Sequence, residues 1–185
     1  FSALLAAAKS LLSLYRQKSF LTSARTAALS IATRPDCLDD DVLELLRELN
    51  NKKPVWVELG LQTIHPASAE YIRRGYPLEV YDEAVKKLSA MGIHTVTHVI
   101  LGLPNETRED MLETVRHVKE TGSGGIKLQL LHVLDGTDLA DDYRAGKFEV
   151  LSFEDYISLV CDCVKEIGDS MVIHRLTGDG PKKLL

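Results

Sequence analysis

The side chains able to do chemistry in this sequence are concentrated in four short segments: residues 33–37 (TRPDC), 58–63 (ELGLQT), 98–107 (HVILGLPNET) and 127–132 (KLQLLH). Each follows an apolar run and mixes turn formers with groups that carry protons, charge or hydrogen bonds. Glu58 with Lys127 or His98 makes an acid–base pair of the kind a hydrolase or lyase uses. His94, His98 and His132 could serve a zinc ion only if three strands brought them together. Three cysteines, Cys37, Cys161 and Cys163, match neither C-x3-C-x2-C nor a paired C-x2-C spacing, so they are not expected to build a metal centre alone. Cys37, beside a strand end, is the candidate functional thiol. Cys161 falls on an apolar helical stripe with Ile157, Val160, Val164 and Ile167 and reads as core, whereas Cys163 falls off it and reads as partly exposed. His132 and His174 end strands and read as structural histidines.

Apolar periodicity supplies the elements that would hold these groups. Residues 27–33, 55–61, 93–101, 126–133 and 171–175 read as strands, and 38–49, 66–74, 80–91, 107–121 and 152–167 as helices. Thr107 and Ser152 start helices with an aspartate three residues on, a capping-box pattern, and Gly92, Gly122 and Gly168 stop them. Strands alternating with helices imply an α/β fold with a mainly parallel sheet. Strand parity then separates two faces. Val55, Val57, Leu59 and Leu61 share one side with Val99, Leu101, Ile126 and Leu128, and suit packing under helices. Glu58, Gln62, His98, Lys127 and Gln129 share the other. Buried charge without partners costs several kcal/mol, so that second face suits the polar lumen of a partial (β/α) TIM-like barrel better than a doubly wound sheet with two dry helix layers. Residues 1–26 fit this rhythm poorly and can conceal a gap; residues 1–14 read as an Ala-packed helix rather than a signal peptide. The whole of 1–185 reads as one domain, a fragment of a larger barrel.

The segments SIATRPD, VWVELGLQT, HVILGLPNET and KLQLLHVLDGT, taken in order, resemble the strand-end motifs of the radical S-adenosylmethionine (SAM) superfamily, from about Ala28 onward. They are most similar to a bacterial group related to the elongator catalytic subunit and to oxygen-independent coproporphyrinogen oxidase. The resemblance implies a partial barrel that holds SAM against a [4Fe–4S] cluster, an external electron donor, and a 5′-deoxyadenosyl radical that abstracts hydrogen from an unknown substrate. It implies that Gln62 and Arg74, twelve residues apart, contact SAM, Arg74 pairing with the methionyl carboxylate from the cavity rim. Gly102, Leu103 and Pro104 match a loop lying against adenine. His98 stands where an acidic residue commonly binds the ribose hydroxyls. Glu58 and Lys127 complete the expected cofactor-binding set. The family's cluster cysteines lie upstream of everything matched here, so the chain by itself is expected to be inactive.

Composition narrows the partners. A net charge of −5 gives no support to a nucleic-acid partner, even though kinship with the elongator subunit suggests an RNA-linked substrate. No apolar run approaches the roughly 18–20 residues needed to span a bilayer, so no membrane partner is expected. An odd number of cysteines in a long chain fits a reducing cytoplasm. Two rival readings stand beside the radical SAM one: the hydrolase or lyase built on Glu58, and a non-catalytic nucleotide-binding module.

Overall fold

In β2 (Val55–Gln62) alternate residues are buried, and Val57, Leu59 and Leu61 are wholly so. The same alternation recurs from Thr97 to Leu101 in β3 (His94–Leu101) and from Ile126 to Gln129 in β4 (Gly125–Leu130). The computed structural model describes residues 27–178 of the 185. Two shorter strands, β1 (Leu29–Thr33) and β5 (Val172–Arg175), complete one five-stranded sheet in the order β1-β2-β3-β4-β5, every pair parallel. An order that follows the chain without reversal is the winding of a barrel, because a doubly wound sheet reverses at a switch point. The sheet is therefore an arc of a (β/α) barrel, as its strand parity predicts.

Helices cover the apolar face. After the 3-10 turn Pro35–Cys37 come α1 (Asp40–Asn50), α2 (Pro66–Tyr71), α3 (Leu78–Ala90), α4 (Arg108–Glu120), α5 (Asp138–Arg144) and α6 (Phe153–Ile167). Thr107 and Asp110 form the reciprocal capping box at the start of α4, and the Ser152 hydroxyl accepts from the Asp155 amide at the start of α6. Gly92, Gly122 and Gly168 all have positive φ where helices end. Leu43, Leu46, Val85, Leu88, Val115, Val118 and Leu159 press on the strand residues; each such burial is worth about 1.5–3 kcal/mol relative to exposure.

Two expectations are corrected, and one condition is not met. α6 turns Tyr156, Leu159, Val160, Cys163 and Ile167 inward, leaving Ile157, Cys161 and Val164 exposed. Apolar residues fill more than half the circumference of this helix, a stripe wider than the face it buries, so periodicity alone does not say which part of the stripe packs inward. Contacts at its flanks do: Tyr156 donates to the Leu176 carbonyl at 2.6 Å, and Arg108 of α4 pairs with Asp162. Burial pushes the Cys163 thiol up to about 12, so Cys163 is a core residue and Cys161 the exposed one. The fourth strand ends at Leu130, not 133, and the polar run that follows contains α5, a helix with only Ala140 buried. Finally, His94, His98 and His132 do not converge: they face Trp56, Glu58 and the Gly178 carbonyl respectively. The readings made for residues 1–26 lie outside the described residues.

Candidate functional site

On the concave face, Glu58 is the hub of a four-strand cluster. Its Oε1 accepts from the Ser30 hydroxyl of β1 at 2.7 Å; its Oε2 accepts from Lys127 Nζ of β4 at 2.5 Å and meets His98 Nε2 of β3 at 2.7 Å. Glu58, His98 and Lys127 are largely buried, with 15–21% of each side chain exposed, whereas Ser30 is exposed. Burial works to raise the Glu58 carboxyl. Hydrogen bonds from Lys127, Ser30 and His98, with the Lys127 charge, outweigh it and hold the group at about 2. Glu58, His98 and Lys127 thus meet on one face of the sheet, as strand parity requires. Burial pulls the His98 imidazole below its usual value; Glu58 opposes this, while the Lys127 and Arg175 charges reinforce it.

Above this cluster the regular ladder breaks. The β2–β3 register shifts between Gly60 and Gln62, and Gln62 has φ 70°, the left-handed region that a non-glycine residue enters at a cost of about 1–2 kcal/mol. The bulge folds the Gln62 side chain back over Gly60: a Cβ added to Gly60 would lie 2.8 Å from Gln62 Nε2. Because Gly60 sits opposite His98 in the ladder, Gln62 joins the same face.

Arg74 holds this corner from behind. Its Nη1 donates to the carbonyls of Leu61 (3.3 Å) and Thr63 (2.5 Å), its Nε donates to the Tyr76 carbonyl (3.0 Å), and its guanidinium lies 4.9 Å from the Tyr76 ring centre. Expected at the cavity rim, Arg74 is instead 8% exposed and lines a separate cleft of about 440 Å³ with Tyr76, Ile64 and Glu79. The reason is local: the end of β2 leaves carbonyls that need donors, and a guanidinium with five N–H groups serves several at once. Among the described residues it has no carboxylate ion-pair partner.

A cleft of about 580 Å³ opens at the carboxyl ends of β3 and β4, walled by Ile72, Ile100, Leu103 and Leu131 and roofed by α5. Tyr71 donates to Asp142 at 2.6 Å and Arg73 pairs with Asp138, fastening α5 to the end of α2. Gly102 has φ 86°, and a side chain there would press on Leu151 at 3.1 Å, so its glycine serves the backbone turn and the α6 approach. Leu103 is buried and faces the cleft.

Two polar residues escaped the sequence reading. Glu106 accepts from the buried Thr63 hydroxyl at 2.6 Å, while its Oε2 is buried without a hydrogen-bond partner and burial raises its carboxyl. Its only sequence signal is its place directly after the Gly-Leu-Pro-Asn turn. Arg175 lies opposite Lys127 in the ladder and close to Gln129, and nothing in the strand pattern distinguishes it from a solvated end residue.

The Radical SAM superfamily model matches residues 4–118, and the Radical_SAM C-terminal domain model matches residues 124–185. The chain belongs to the radical SAM superfamily. YtqA of Bacillus subtilis is 47% identical to this radical SAM chain over 168 residues, covering 91% of it and 52% of YtqA. Among solved structures, Methanocaldococcus infernus Elp3 lacking its first residues superposes with a TM-score of 0.77 at 22% identity, over 86% of this chain and 37% of Elp3. Coproporphyrinogen III oxidase (HemN) from Escherichia coli gives a TM-score of 0.60 at 19% identity, over 76% of this chain and 32% of HemN. The two likenesses show the fold. The chain spans about half the length of the curated relatives it matches.

The cofactors that the family implies fit unequally. Cys37 follows β1, Cys161 is exposed on α6 and Cys163 is buried beneath it, so these thiols cannot jointly ligate an iron–sulfur cluster. Among the described residues the one trio spaced for a metal ion is His65, Asp110 and Glu113, and Asp110 is already occupied by the α4 cap. The polar concave face and the apolar cleft beside it do suit a nucleoside-sized ligand.

Proposed function

We propose that this chain is the SAM-binding part of a radical SAM enzyme's barrel, an oxidoreductase-type Fe–S protein when complete. The observation that carries the reading is the convergence of Gln62 and His98 on one buried polar face beside a cleft lined by Leu103. Gln62, folded over Gly60, donates or accepts a hydrogen bond with the ribose or methionyl carboxylate of SAM. Arg74 reaches that carboxylate by turning out of the separate cleft it lines and offering Nη2, since its bonds to backbone carbonyls use Nε and Nη1. A guanidinium buried without a carboxylate partner is what an anionic ligand group would complete. Gly102 and Leu103 present the wall against adenine, with Ile100 and Leu131 closing the apolar slot. Glu58 and Lys127 form the floor and hold His98 toward the ribose.

In this family a [4Fe–4S] cluster supplies the electron that cleaves SAM to a 5′-deoxyadenosyl radical; its ligands would come from outside this chain, which alone would be inactive. An external electron donor follows from that requirement. We place the protein in a reducing cytoplasm, in keeping with three free cysteines. The described residues include no helix long and apolar enough to cross a membrane. The rival hydrolase or lyase reading loses ground on geometry: a carboxylate held near 2 by three donors is a poor base at neutral pH, and Lys127 is spent on the same oxygen.

The test is anaerobic reconstitution of the full-length protein with iron and sulfide. Charge-transfer absorbance and reductive release of 5′-deoxyadenosine from SAM are expected. A folded full-length protein with neither would overturn the reading.

A further inference from the structure

The cluster around Glu58 determines which nitrogen of His98 carries the proton. An ionised carboxylate has only lone pairs to offer, and the Lys127 ammonium has only N–H groups. The 2.7 Å contact between Glu58 Oε2 and His98 Nε2 therefore requires the proton on Nε2. In the neutral ring this leaves Nδ1 as a lone-pair acceptor. Among the described residues Nδ1 has no hydrogen-bond partner, and it is not one of the atoms buried without a partner, so it is open to solvent. Its ring is rooted on the concave face, across the ladder from Gly60 and its overlying Gln62 amide.

We propose that His98 engages its ligand as a hydrogen-bond acceptor through Nδ1, with Glu58 and Lys127 as the positioning residues that set its tautomer. The inference rests on the SAM reading and deepens it: the ligand group facing His98 is a donor, a hydroxyl of the nucleoside. A protonated imidazole has no lone pair and presents N–H at both positions, so the acceptor disappears when the ring titrates. The charged groups facing the ring are Glu58 from β2, Lys127 from β4 and Arg175 from β5, while β1 contributes the uncharged Ser30. Two cations against one anion, with burial, keep the ring neutral at physiological pH. Ligand binding then falls as pH drops through a His98 pKa lying below the ordinary 6.5.

Two measurements test this. Imidazole-nitrogen NMR of the protein without SAM should show His98 protonated at Nε2 alone. In Glu58→Gln an amide oxygen in the Oε2 place still accepts from both Lys127 and His98, with the amide N–H turned to the Ser30 hydroxyl, so the proton should stay on Nε2, whereas Glu58→Leu removes the acceptor and should lose that preference. A wild-type ring carrying its proton on Nδ1 would overturn the assignment. Calorimetry of SAM binding to the full-length protein, reconstituted with its cluster, should show about tenfold weaker affinity once His98 is protonated, the loss of one hydrogen bond. His98→Gln keeps a donor toward Glu58 and an acceptor toward the ligand but cannot titrate, so its affinity should stay flat over the same range. Tight wild-type SAM binding that ignores pH sinks the role of His98 and leaves the SAM reading standing. No SAM binding at any pH removes that reading, and the ligand role of His98 with it.

Discussion

The concave face ends differently at its two edges, although both are built on glycines. Toward the amino ends of the strands, Trp56, His94 and His174 form an aromatic cluster with ring centres 5.3–6.1 Å apart. The imidazoles lie directly on Gly124 and Gly125: added Cβ atoms would fall 2.3 Å from His94 and 2.6 Å from His174. Toward the carboxyl ends, Gly60 faces only the tip of the flexible Gln62 side chain. The lower glycines make room for rigid rings that close the face by packing. The upper one makes room for an amide that can move. One edge is a plug and the other is a site, and the contrast can be broken residue by residue.

The largest effect is expected at the upper edge. Arg74→Ala should weaken SAM binding by about 1.5–3 kcal/mol in calorimetry of the full-length protein, the loss of a charge-assisted hydrogen bond. It should also lower stability, because the carbonyls of Leu61 and Thr63 lose their donor. An unchanged affinity would reduce Arg74 to a structural brace. At the lower edge, Gly124→Ala forces His94 out of place and should cost about 1–3 kcal/mol in urea denaturation, with affinity intact in the folded fraction. An affinity loss there without a stability loss would move the site downward.

Acid should loosen the floor between the two edges. The Glu58 carboxyl is held at about 2 against an ordinary 4.5, so its folded state binds protons later than the unfolded one. The stability it contributes is fully present above pH 4.5 and is lost as pH falls through 4.5 toward 2. Denaturation midpoints followed over that window should decline more steeply in wild type than in Glu58→Gln. The smallest change in stability belongs to Gly60→Ala, within about 0.5 kcal/mol because Gln62 can swing aside, yet SAM affinity should drop. A Gly60→Ala protein that binds SAM normally would show that the folded-back Gln62 amide is not a ligand contact.

Much of this contrast was legible from residue types alone. Period-two alternation in β2, β3 and β4 placed Glu58, His98 and Lys127 together without any coordinate, because burying their alternating neighbours leaves no other choice of face. Spacing failed where a side chain can turn either way. Twelve residues separate Gln62 from Arg74, but that interval cannot tell a guanidinium reaching for a ligand from one reaching for the carbonyls of its own turn. The left-handed Gln62 has no sequence mark either, since the position would ordinarily favour glycine. α6 defeated periodicity by carrying an apolar stripe wider than the face it buries, and α5 by being polar nearly all round.

That polar helix has a consequence for traffic to the cleft it covers. α5 contributes a single buried residue, Ala140, and is moored by exposed pairs, Tyr71 to Asp142 and Arg73 to Asp138. Exposed ion pairs are each worth about 0–1 kcal/mol and weaken with salt. Lifting α5 therefore costs the burial of Ala140, the half-buried Leu139 and two exposed contacts, and leaves the five-stranded sheet intact. α5 is thus the part of the cleft's boundary that costs least to open, a route for a bulky guest that leaves the strands and their core in place.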